Sequence, residues 1–392
     1  LEGHRAADPA DAVPEADRPH LTRNILVPVL DPQLGGGSRG DMEQGMTGRA
    51  SEIRRFGATG RGATGPAADG PLPPWSAARV RSLRGPRVAV DPRRPIAVWD
   101  EWDVAAADVA VATRVVLLAG AECRFTCGMC DLWRHTLEHP TEPGSLPEQI
   151  RGALAADGGL GLEDPLGPRP RWIKLYNGSN FFDPRSVPPV DLPVIAAALA
   201  DWDRVIVENH PRLTGPAVTA FRDLVAGRLE VAMGLETVHP DILPWLGKQM
   251  TAADFATACE TLRAERVGVR AFVLLGLPTL GPAEAEHWCL ESIAFATRAG
   301  ARHVSIIPTR GDDGLFADLS QQGLYRAPTA AALERTLSAA LARDRGGAIV
   351  TADLWNFATL AGHCDICRES RLGRLAAMNL AQRPLPSHEP TC

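Results

Sequence analysis

The chain has 392 residues, 45% of them hydrophobic, with 41 Lys and Arg against 47 Asp and Glu and a formal charge of −6. That length accommodates one large α/β domain with appendages, and the mild acidity excludes binding of nucleic acid or anionic membrane by bulk charge. Eight cysteines are too few for a disulfide scaffold in a chain this long, no apolar run approaches the roughly 18 residues of a membrane span, and the N-terminus lacks a signal-peptide layout. A cytoplasmic protein with no membrane association is therefore expected.

Residues 1–75 are rich in Gly, Pro, Ala and Arg without helical or strand periodicity, and the chain begins at Leu1. This segment is expected to be disordered or to lie outside the native protein. Residues 21–95 carry a net charge of +6, so any basic surface is expected toward the N-terminus. After a lead-in over 76–110 come six short apolar runs: Arg114–Ala119, Trp172–Tyr176, Arg204–Val207, Leu229–Met233, Val269–Leu275 and His303–Ile307. Runs of this kind are what parallel strands buried on both faces require. Between them, Ser145 and Glu148 suggest a capping box, and amphipathic stretches near 192–201, 216–226, 252–265 and 282–299 suggest helices. The expectation is an α/β fold, a partial (β/α)6 barrel of the TIM type over 111–312. An extension over 313–392 is expected to hold a helix near 329–343 and a strand at Ala348–Ala352.

Directly after the first run stands Cys123-Arg-Phe-Thr-Cys127-Gly-Met-Cys130, a C-x3-C-x2-C loop at the strand end where a barrel places its chemistry. Three thiolates on one loop can hold a cuboidal iron–sulfur cluster, whereas complete protein ligation of a [4Fe–4S] cluster takes four. One iron is then open to a ligand. The competing reading is a zinc-binding or interaction protein without catalysis, with His135 and His139 as nearby spare ligands.

The C-x3-C-x2-C spacing after a first barrel strand resembles the radical S-adenosylmethionine (radical SAM) superfamily. Cys130-Asp-Leu-Trp133, the Gly-Ser-x-Phe-x-Asp pattern of Gly178–Asp183, Val187-Pro188-Pro189 and Gly234-Leu-Glu-Thr237 are similar to its Elongator-like group, which includes the radical SAM partner of archaeosine synthesis. The resemblance implies that Cys123, Cys127 and Cys130 bind a [4Fe–4S] cluster whose open iron chelates SAM. Reductive cleavage of SAM would yield a 5′-deoxyadenosyl radical that abstracts hydrogen from a substrate. It implies an electron donor such as flavodoxin or ferredoxin, and a substrate that is either a nucleoside in tRNA or a small molecule or peptide. The acidic core counts against tRNA.

By the same resemblance, cofactor-binding roles fall on Phe125 and Met129 of the loop, and on Asn177, Gly178 and Ser179 after the second strand. Glu208 and Glu236 end the third and fourth strands, where they can reach ribose hydroxyls or the methionine carboxylate, and Pro308 ends the sixth, beside adenine. Met129 stands where the superfamily usually has an aromatic, and the acid of its Gly-Gly-Glu motif is missing after the second strand. Cys364 and Cys367 form a C-x-x-C that is a candidate second site for zinc, an auxiliary cluster or two thiols.

Overall fold

The computed structural model describes residues 75–156, 171–311 and 314–386. The expected disorder of 1–75 therefore concerns residues outside it, Trp75 excepted. A short helix α1 (Ala77–Ser82) leads into an antiparallel hairpin of β1 (Ala97–Ala106) and β2 (Val109–Leu117). Helix and strand then alternate through α2 (Ser145–Ala155), β3 (Trp172–Tyr176), α3 (Leu192–Ala198), β4 (Arg204–Glu208), α4 (Pro216–Leu224) and β5 (Arg228–Glu236). They continue through α5 (Ile242–Trp245), α6 (Ala252–Ala264), β6 (Gly268–Leu275), α7 (Pro282–Ala299), β7 (His303–Pro308), α8 (Gly314–Gln321), α9 (Ala330–Ala342), β8 (Ile349–Ala352) and α10 (Asp365–Ala381). Strands β2 to β8 are parallel and neighbour one another in chain order. This is a βα barrel, and the six strands expected from the sequence are its β2–β7.

The sheet extends beyond 111–312 at both ends, through β1 and β8. These two edges come together without a hydrogen-bonded ladder, and the rings of Trp99 and Trp355 meet across them at 5.2 Å. An open edge strand needs partners for its peptide groups. Helix α10 supplies them with side-chain amides: Asn379 exchanges two hydrogen bonds with the Ala352 backbone (2.8 and 2.9 Å), and Gln382, just after the helix, does the same for Val350 (2.9 Å each). The hairpin went unread because its two-residue loop, Ala107-Asp108, carries no glycine, although Asp108 takes the left-handed conformation (φ 59°) that such a turn needs.

One face of each parallel strand packs against the helices: Ile173, Leu175, Val205, Val207, Val231, Met233, Ala271 and Val273 all lie in the main core. The other face lines the barrel, and near its N-terminal end that lining is charged. Lys174 pairs with Glu101 (2.6 Å) and Asp103 (3.0 Å), Arg270 with Asp103 (2.8 Å) and Glu230 (2.7 Å), and Arg204 with Glu230 (2.7 Å). Three cations thus meet three carboxylates contributed by β1, β3, β4, β5 and β6. Burial by itself would raise the Asp103 carboxyl, but Arg270 and Lys174 hold it well below the usual range. His303 of β7 is pushed down to about 3 by burial and by Arg270, so it is neutral and bonds Thr351 of β8 at 2.9 Å.

The capping box at Ser145 is not formed. Ser145 is the first helical residue, and the cap is Gly144 at φ 89°, whose N–H donates to both oxygens of Asp191 (2.9 and 3.1 Å). A left-handed cap favours glycine and leaves no side-chain oxygen to bond the helix, so the carboxylate comes from elsewhere in the chain. Among the described residues no helix is long and apolar enough to cross a membrane.

Candidate active site

The cysteine loop leaves the C-terminal end of β2 and is fastened on three sides. Arg124 grips the buried carboxylate of Asp183 with two bonds (2.7 and 2.6 Å), Gly128 N–H donates to Leu246 O (2.8 Å), and Glu122 is held by Arg84 (2.7 Å) and Arg87. A Cβ at Gly128 would stand 2.5 Å from Leu315 Cδ2, so the loop passes α8 at a distance only glycine tolerates without movement.

Cys127 is buried, and Cys123 and Cys130 are half-buried. Burial pushes Cys127 up to about 12 and raises Cys130 further. Burial also raises Cys123, but its sulfur accepts from Phe125 N–H (3.4 Å) and Asn180 Nδ2 (3.1 Å), bonds that favour the thiolate. Thiols so buried are inert as free nucleophiles and become thiolates when a metal replaces the proton. Among the described residues no three His, Cys, Asp or Glu side chains are grouped to hold a single metal ion. The donor set is three sulfurs on one loop with N–H groups turned to one of them, which suits a sulfur-ligated cluster.

The other strand ends lie around this loop. Phe125 lies flat on His210 (centroids 3.8 Å apart, 19° between planes). That ring is neutral, pushed down to about 3 by burial and by Lys248; Nε2 donates to Lys248 O (2.9 Å) and Nδ1 accepts from Arg212 N–H (3.2 Å). Met129 packs against the apolar cluster built on Trp245, Leu246, Leu315 and Phe316. Gly178 is left-handed (φ 59°), and a Cβ there would lie 3.3 Å from Leu132 O, so the loop after β3 passes beneath the turn that follows Cys130. The Asn177 side chain is committed internally, donating to Ser186 Oγ (3.2 Å) and accepting from Ser179 N–H (3.1 Å). Ser179 Oγ and Asn209 Oδ1 are buried without a hydrogen-bond partner, so polar atoms at this mouth await one. Pro308 is buried where β7 ends, and Thr309 beyond it donates to Leu275 O (3.0 Å).

The two carboxylates differ. Glu236, left-handed at φ 65° on a bulge of β5, forms a buried pair with Lys248 Nζ at 2.5 Å. Gly234 makes room for that pair, since a Cβ there would overlap Glu236 Oε1. Glu208 accepts Asn177 N–H at 3.4 Å and is raised from its usual 4.5 to about 7, by burial, against the opposing pull of that bond and of Lys248. A raised carboxyl contributes stability that is complete below the unfolded pKa and lost as pH rises through the folded one. The stability difference between wild type and Glu208→Gln should therefore fall by up to about 3 kcal/mol between pH 4.5 and 8. Urea unfolding at stepped pH reads this, and a difference that does not change with pH would contradict it.

Sequence reading missed Asn180, Lys248 and the strap that precedes the barrel. Arg81 donates to Thr126 Oγ1 (3.2 Å), Arg87 to Trp133 O (2.7 Å), and Arg84 lies 4.7 Å from the Trp133 ring centroid. Residues 79–87 thus fasten the cysteine loop from outside. A signal for Lys248 was available: Lys174 and Lys248 are the only lysines of an arginine-rich chain, and both are buried in ion pairs. An amine offers a compact point charge where a planar guanidinium does not fit.

Cys364 and Cys367 open α10, with sulfurs 3.7 Å apart, while His363 turns away to stack on Phe357 (5.3 Å, 20°). Cys259 and Cys289 are core residues of α6 and α7.

No family model matches the chain, and no curated protein matches it. Solved structures with similarity include Elp3 of the archaeon Methanocaldococcus infernus lacking residues 1–46 (TM-score 0.41, 14% identity, 52% of this chain and 51% of that one). A radical S-adenosylmethionine methyltransferase, TsrM of Kitasatospora setae, with cobalamin and a [4Fe–4S] cluster bound, gives a TM-score of 0.34 at 14% identity over 53% of this chain and 36% of that one. Methylornithine synthase, PylB, gives 0.40 at 12% identity over 69% and 82%. The chain spans about half the length of the Elp3 structure and about a third of TsrM.

Proposed function

We propose that the chain is a radical SAM enzyme, in which Cys123, Cys127 and Cys130 hold a [4Fe–4S] cluster with one iron open to S-adenosylmethionine. The observation that carries this reading is the placement of three buried or half-buried thiols on a single loop at the C-terminal mouth of a βα barrel, where such folds do their chemistry. When bound, the cluster supplies the electron that cleaves SAM and so sets off hydrogen abstraction from a substrate.

The chain's own residues do the rest. Arg124, Asp183, Glu122 and the arginine strap fix the loop that carries the three sulfurs. Asn180 and the Phe125 N–H turn donors to Cys123 and tune its sulfur. Lys248, held by Glu236, keeps a buried positive charge beside Cys127 and Cys123, which favours their thiolate forms. Glu208 and the unpartnered Ser179 Oγ and Asn209 Oδ1 offer hydrogen bonds to a polar cofactor at the same mouth. The electron would come from a reducing protein such as flavodoxin or ferredoxin.

The test is product analysis. Protein reconstituted anaerobically and given dithionite and SAM should form 5′-deoxyadenosine and methionine, and their absence from iron-loaded protein would remove the proposal.

A further inference from the structure

We propose that Cys364 and Cys367 are a redox-active dithiol that reacts with an external disulfide and closes into an intramolecular disulfide. The inference rests on the geometry of α10 and stands independently of the radical SAM reading.

The geometry of the pair and its surroundings carry it. The two sulfurs are 3.7 Å apart, so moving them to the roughly 2.05 Å of a disulfide takes a side-chain rotation and no rearrangement of the helix. Cys364 sits outside the helix on extended backbone (φ −113°, ψ 175°), free of the helical rotamer restriction, and is half-buried; Cys367 is in the first turn and only 5% exposed. Cys367 Sγ also accepts the Cys364 N–H at 3.2 Å, which favours its thiolate and keeps the sulfurs facing each other. The motif projects into solvent, with Ile366 80% exposed, so a disulfide-bearing molecule can reach Cys364. His363, the residue that would extend the pair into a metal site, is occupied with Phe357, its Nε2 3.3 Å from Phe357 O.

The exchange balances as follows. The Cys364 thiolate attacks one sulfur of the external disulfide and releases one thiol. The Cys367 thiolate then attacks Cys364 Sγ, releases the second thiol and leaves the Cys364–Cys367 bond. The protein loses two electrons and two protons, and the external disulfide gains them. The fitting substrate is a small exposed disulfide such as that of glutathione or of a dithiol oxidoreductase.

The full chain is equilibrated anaerobically in mixtures of reduced and oxidised glutathione, quenched in acid, alkylated with N-ethylmaleimide and digested with trypsin. The peptide Gly346–Arg368 contains Cys364 and Cys367 and no other cysteine, so the other thiols do not interfere. It should pass in one transition from doubly alkylated to unalkylated and two hydrogens lighter. In Cys367→Ser, which cannot resolve the mixed disulfide, a glutathione adduct should accumulate on Cys364. Full alkylation in excess oxidised glutathione would overturn the proposal. So would stable separate adducts on both cysteines of the wild type, or bound zinc that protects the pair and is lost from Cys364→Ser.

Discussion

The Cys127→Ala variant, reconstituted anaerobically, should retain less than about one iron per chain where the wild type takes up about four. Its formation of 5′-deoxyadenosine should fall more than about 100-fold, because loss of a mere outer partner of a metal ligand already costs roughly 10–100-fold. Cys127 is the middle cysteine of the loop, 8% exposed, its thiol pushed up to about 12 by burial. Alanine fills most of the space and cannot bind metal. The far-ultraviolet dichroism and melting of the metal-free variant should stay close to wild type, which separates loss of a ligand from loss of the fold. A variant that keeps its iron and its product yield would exclude the loop as the cluster site.

Arg270→Met should cost about 3–5 kcal/mol, the usual effect of removing one partner from a buried ion pair. Arg270 is 3% exposed and bridges Asp103 on β1 to Glu230 on β5, so methionine fills the volume and leaves two buried carboxylates with fewer counter-ions. Against the cost of burial, Arg270 holds both carboxyls below their usual values, helped by Lys174 at Asp103 and by Arg204 at Glu230. A depressed carboxyl contributes stability above its unfolded pKa and loses it as pH falls through the folded value. The deficit of Arg270→Met should thus be largest near pH 7 and shrink as pH falls toward and below 4. Urea unfolding at pH 7 and pH 4 measures both, and a cost under about 1 kcal/mol at pH 7 would show that the interior network does not hold the barrel together.

The barrel was legible because its six central strands are short apolar runs separated by helix-length segments. Its edges were not. β1 carries Trp99, Glu101, Trp102 and Asp103, a mixture that reads as surface until the barrel closes and sets Glu101 and Asp103 against Lys174 and Arg270 of strands far along the chain. Helix α10 was likewise hidden, because the use of Asn379 and Gln382 is to occupy the backbone of β8, which no local pattern announces.

The same distinction holds at the site. The cysteine triplet and its place after the first apolar run of the barrel are readable from the sequence. The partners of that loop were beyond reach of the sequence, since Asn180 Nδ2 meets Cys123 Sγ across 57 positions, and Lys248 meets Glu236 through the path of α5. Nor does the sequence announce that the Asn177 side chain holds its own loop together, through Ser186 and the Ser179 N–H.

The electron paramagnetic resonance spectrum of the reduced, anaerobically reconstituted protein, recorded with and without SAM, tests the open iron most directly. If three cysteines leave one iron free to bind SAM, the protein shows the signal of a reduced [4Fe–4S] cluster, and adding SAM shifts its g-values. A cluster signal that SAM leaves unchanged, or a protein that takes up zinc and no iron, would contradict the account.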